Sequence, residues 1–198
     1  MKIFFVYVPL LLLLCIARHP LFAQKKPDPK VQIPANNLNR PGQLALTQTG
    51  DPALDHAIRE LYAVISGPAG HKRDWEKFRA MFAPGAQMGV MVSGKNGEPA
   101  YKQISPEEYI ATSGKLLEEK GFFESEISRK IERYGNLVHL WSTYEAREKE
   151  TDTKPMMRGV NSIQFVKIGN SYKIASLIWQ PEAANLPLPA DYLPEQAR

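Results

Sequence analysis

The sequence predicts an α+β domain, a cone-shaped curved antiparallel sheet with three helices on its concave face. Three observations carry that expectation. Apolar residues recur at helical spacing between Asp51 and Gly121, a period of two takes over from Phe122, and two Gly-Asn pairs sit where two-residue turns join long strands.

Residues 1–23 begin with Lys2, run apolar from Ile3 to Ala17 and end in Leu21-Phe22-Ala23. They read as a secretory signal peptide cut after Ala23, because the run is shorter than the roughly 20 residues a spanning helix needs. The expected product starts at Gln24, is exported to the periplasm or beyond, and needs no membrane after cleavage. Cys15 is the only cysteine, and Leu14 before it argues against lipid attachment. Outside the leader there is no thiol, which removes disulfides, thiolate metal sites and cysteine nucleophiles together. Residues 24–50, rich in Pro, Asn, Gln and Lys, read as a flexible linker.

The domain is expected over 51–182. Asp51 caps a first helix with Pro52 at its first position, and Leu54, Ile58, Leu61, Tyr62 and Ile65 follow until Gly67-Pro68. A shorter helix from Asp74 carries Trp75, Phe78, Met81 and Phe82 and stops near Pro84-Gly85. QMGVMV reads as a short strand before a turn rich in Gly and Asn. Ser105, Pro106 and Glu108 then form a capping box for a third helix ending at Gly121. Hairpins turning at Gly135-Asn136 and Gly169-Asn170 complete the sheet, and the Pro-rich tail 183–198 wraps the surface.

Composition excludes little else. The chain has 198 residues, 43% hydrophobic and 23% charged, with 25 basic against 21 acidic residues, Lys2 and Arg18 falling in the leader. That balance calls for no nucleic acid. His56, His71 and His139 are scattered without metal-ligand spacing, so neither a metal nor a cofactor is expected. No GxSxG phrase signals a serine hydrolase.

The phrases ISGPAGHKRDWEKFRAMFAPGA, GFFESEI, YGNLVHLWSTYEAR, RGVNSIQF and KIASLIWQPE span roughly residues 65–182 in order. With them the chain resembles the nuclear-transport-factor-2-like (SnoaL-like, ketosteroid-isomerase-like) superfamily, and within it the exported bacterial branch. The resemblance implies the cone fold and a pocket. It leaves function open, since the superfamily holds isomerases, dehydratases, cyclases and non-catalytic binding proteins.

Running each hairpin back from its turn without interruption sorts the strands into two faces. The concave set is Ile127, Arg129, Ile131, Leu140, Ser142, Tyr144, Asn161, Ile163, Phe165, Ile174, Ser176 and Ile178, roofed by Tyr62, Trp75, Phe78 and Phe82. Its expected ligand-binding residues are Tyr62, Trp75, Phe78, Arg129, Ser142, Tyr144, Asn161, Ile163 and Ser176. They suit a small, largely apolar ligand, one bearing a carboxylate if Arg129 anchors it. In this register Glu124, Glu126, Glu132, Glu145 and Glu148 all fall on the opposite face, so the strands offer no catalytic base. A helix acid, Asp74 first and Asp55 or Glu76 after it, is the remaining candidate. Three functions stay open: a ligand-binding protein without a base, an isomerase or dehydratase using a helix carboxylate, and an interaction module. Val160, Leu177 and Trp179 are expected together on the convex face, as the seat of a homodimer.

Overall fold

The computed structural model describes residues 48–94 and 97–194, all within the unit Gln43–Arg198. The expected signal peptide and the expected linker up to residue 47 lie outside them. Helix α1 (Pro52–Ile65) starts where the Asp51 side chain accepts from the Ala53 and Leu54 amides, at 3.0 and 3.3 Å. Its apolar stripe, Leu54, Ile58, Leu61, Tyr62 and Ile65, is buried. Helix α2 (Trp75–Ala80) is capped by Asp74. The third helix begins as α3 (Pro106–Tyr109) with the expected capping box, passes through a π turn at Ile110–Gly114, and continues as α4 (Lys115–Lys120).

Six strands follow the order β2-β1-β6-β5-β4-β3. They are β1 (Phe82–Ser93), β2 (Pro99–Ile104), β3 (Phe123–Tyr134), β4 (Leu137–Arg147), β5 (Met157–Ile168) and β6 (Ser171–Pro181). The α+β class holds, with two departures from expectation. β1 pairs with β6 in parallel, so the sheet is mixed. It also begins at Phe82, because Pro84 disfavours helix in the residue before it and the chain goes extended early. β2 escapes sequence reading because PAYKQI is an edge strand with little burial on either face.

Asp51 does more than cap. Its Oδ2 accepts the Tyr172 hydroxyl at 2.7 Å and faces Lys167 and Arg133, each at 3.4 Å. The Tyr172 hydrogen bond leads in holding the Asp51 carboxyl down at about 2. A depressed carboxylate stabilises above its unfolded pKa and loses that contribution as pH falls through the folded one. Asp51→Asn is therefore expected to melt lower than wild type at pH 7, with the gap closing between about pH 4 and pH 2. Melting curves across that range check it.

The convex-face expectation needs correction. Both hairpins start in the expected register, but β6 carries a bulge beyond Ile174. Phe165 still faces Ile174, whereas Gln164 faces Ser176 and Ile163 faces Leu177. That extra residue turns Leu177 and Trp179 inward, where Leu177 is buried and Trp179 meets Tyr109 edge to face at 6.2 Å. Val160 stays without them, and the patch on which a homodimer was expected is not formed. Part of the convex face is taken by the chain's own tail. Tyr192 packs on Trp141, while Lys130 lies over the Tyr192 ring and pairs with Asp191.

Candidate functional site

The concave face acquires its chemistry from a second bulge, in β3. From Tyr134 opposite Leu137 up to Ser128 opposite Thr143 the ladder runs as expected; then Ile127 has no partner and Glu126 faces Tyr144. A one-residue slip exchanges the faces of everything beyond it. Glu126 and Glu124, expected on the convex side, both turn inward. The premise that the strands carry no acid is overturned.

Glu126 is 5% exposed and anchors a buried network. Ser142 donates to its Oε1 at 2.6 Å, and Arg129 pairs with its Oε2 and, at 3.1 Å, with Asp55 of α1. Thr49 closes that end by donating its amide to Asp55 at 3.1 Å. With the Ser142 proton committed to Glu126, the 2.6 Å contact between Tyr62 and Ser142 is donated by Tyr62. Asn161 Nδ2 then donates to the Tyr62 oxygen at 3.1 Å. Burial pushes the Glu126 carboxyl up, against the opposing pull of Arg129 and Ser142. Ser142, Tyr62 and Asn161 thus each donate along this chain.

Two groups beside it are differently placed. Glu124, opposite the buried Ala146, is pushed up to about 8 by desolvation, with the Asn161 amide pulling weakly the other way. A carboxyl titrating there carries its proton at neutral pH and can donate it. Burial and the nearby Glu124 raise the phenols of Tyr62, Tyr109 and Tyr144. Tyr144 is 2% exposed and its hydroxyl has no hydrogen-bond partner among the described residues. The ring lies over Gly159, its partner across β5, where a Cβ would come within 2.6 Å of the phenol oxygen. Only glycine lets the phenol lie there.

The expected site residues divide accordingly. Tyr62, Ser142, Asn161 and Arg129 meet in one network and Tyr144 stands beside it. Arg129 is not an isolated anchor among isoleucines, since Glu126 and Asp55 use its charge. Phe78 and Ile163 are fully buried in the core. Trp75 donates to Glu118 at 2.9 Å and packs on Phe78. Ser176 does not belong: the β6 bulge puts it, with Ile178, on the opposite face. Asp74 is the cap of α2, accepting from Lys77 at 2.8 Å, and is no base for the concave face. Sequence reasoning missed Glu124, Glu126 and Tyr109. One signal pointed to the first two, because a guanidinium on a buried strand face demands a carboxylate, and among the strand residues only a slipped register supplies one.

No protein-family model matches the sequence, and no curated protein matches it. Solved structures do. A protein of cystatin-like fold from Nostoc punctiforme superposes with a TM-score of 0.51 at 12% identity, over 71% of this chain and 97% of that one. An NTF-2-like protein from Silicibacter pomeroyi gives 0.44 at 17% identity, covering 66% and 93%. One from Shewanella baltica gives 0.43 at 13% identity, covering 66% and 95%. The likeness is one of fold alone. It extends to the cystatin-like fold of the first of these, and neither ligand nor reaction follows from that.

Proposed function

We propose that this is an exported protein that holds a small, largely apolar ligand against the concave face, gripping a carbonyl or ether oxygen between Tyr144 and Glu124. One observation carries the reading: a buried phenol without a partner stands beside a carboxyl that keeps its proton at neutral pH. Two neutral donors among aromatic walls suit an uncharged acceptor. A ligand carboxylate is disfavoured, because Arg129 is already shared by two acids.

A second reading has its own support. A carboxyl titrating at about 8 exchanges its proton readily near neutral pH, so Glu124 suits general acid or base work in an isomerase or dehydratase. The strand residue replaces the helix carboxylate in that role.

Native mass spectrometry of the protein from its source tests for a retained small molecule. Titration with an aryl ketone such as 2-acetylnaphthalene then tests the grip. Tyr144→Phe is expected to weaken binding by about 1–3 kcal/mol while the melting temperature stays near wild type. Equal affinity in the variant, or stability lost instead, makes Tyr144 a packing residue and removes the site. Deuterium uptake at the ketone α-carbon in heavy water, lost in Glu124→Gln, distinguishes catalysis from binding.

A further inference from the structure

The convex face, remote from that grip, holds a second constellation. The β3–β4–β5 ladder sets Glu132 opposite His139, His139 opposite Gln164, and Trp141 opposite Ser162. His139 Nε2 lies 3.1 Å from Ser162 Oγ, and its Nδ1 lies 3.6 Å from Glu132 Oε2. His139 and Ser162 are half-buried, so both remain reachable. Trp141 stands edge-on to the imidazole at 4.8 Å, and Tyr192 of the tail backs Trp141 at 6.2 Å.

We propose that Ser162 is an activated nucleophile toward small aryl or acyl esters, with His139 as its base and Glu132 as the residue that orients the imidazole. A carboxylate facing Nδ1 favours the tautomer protonated there, which leaves Nε2 to accept the serine proton. In the acylation step Oγ bonds to the ester carbonyl carbon while its proton passes to Nε2. The carbon–oxygen bond to the leaving alcohol then breaks, and the alcohol departs with that proton. Water, activated by the same nitrogen, releases the acid and restores Ser162. Strand amides here are committed to the ladder, so the developing oxyanion needs a side-chain donor. Gln164, exposed on the same face directly opposite His139, is the neutral amide in place for it. Trp141 and Tyr192 form an aromatic wall suited to an aryl ester.

A fluorophosphonate probe applied to the full chain, followed by peptide mapping, tests this. The expected result is one adduct, on Ser162, whose rate of formation falls about 10²-fold or more in His139→Gln, the scale of a lost general base. Glu132→Gln is expected to slow it about tenfold, the lesser loss of a base left misoriented. p-Nitrophenyl acetate should be hydrolysed with an initial burst in wild type and not in Ser162→Ala. Absence of an adduct in the wild-type chain overturns the proposal whatever the variants do. Labelling at Tyr192 or another residue instead of Ser162, or a rate unchanged in a folded His139→Gln, overturns it equally.

Discussion

Arg129→Met is expected to cost the fold about 3–5 kcal/mol, because it strands two buried acids in one stroke. The Arg129 side chain is 9% exposed, and its partners Glu126 and Asp55 are 4% and 14% exposed. Removing the cation leaves Glu126 held only by Ser142 and leaves Asp55 turned to the Thr49 amide. Methionine fills much the same volume, so packing is nearly conserved and the loss is electrostatic. The matching test is the double variant Arg129→Met with Glu126→Leu. Replacing a buried ion pair with apolar groups is often close to neutral, so the pair should recover much of what the single change loses. Urea unfolding of wild type, the two single variants and the double variant checks this, and additive losses would show that the ion pair is not the source.

Glu124→Gln is expected to flatten the dependence of stability on pH. The carboxyl is raised from its ordinary 4.5 to about 8 by burial, so the folded state binds more protons than the unfolded one between those values. Stability therefore falls as pH rises through that window and stays low above it. Glutamine cannot ionise. The variant should match wild type near pH 5 and exceed it near pH 9, by on the order of 2–3 kcal/mol once the partial exposure of Glu124 is allowed for. Glu126 pulls the same way, so the variant's own profile should flatten without becoming level. In the ligand-holding role the same ionisation acts on affinity. A carboxyl that donates its proton to a ligand oxygen loses its grip above about pH 8, so wild-type affinity for the aryl ketone should drop there.

Most of the fold was legible because it depends on local signals. The Asp51 cap, the Ser105–Glu108 capping box and the two Gly-Asn turns each place an element end with side chains a few residues apart. Register near each turn was legible for the same reason. What failed is what no local signal encodes. A bulge opposite Tyr144 and another beside Ile174 each insert one residue where the alternation of side chains looks continuous. Every assignment beyond them inverts: Ser176 leaves the concave face, Leu177 and Trp179 enter it, and Glu124 and Glu126 become the acids of the site. The parallel pairing of β1 with β6 was equally illegible, since direction across a sheet edge is set by where α2 delivers the chain. The Ile174 amide donates to Met81 at 2.9 Å, just past that helix.

Ile127 makes the concave face a matter of how one residue is paired more than of side-chain identity. Left unpaired between Ser128 and Glu126, it keeps both glutamates inside. Paired opposite Tyr144, it would turn them to the outside and leave Arg129 facing a greasy hollow with one acid in place of two. No single substitution of a side chain does as much. Among chains of this shape, an acid-bearing hollow and an acid-free one can stand one pairing apart with nearly the same letters. Alignments that compare letters alone at this strand then group together proteins whose hollows differ in kind.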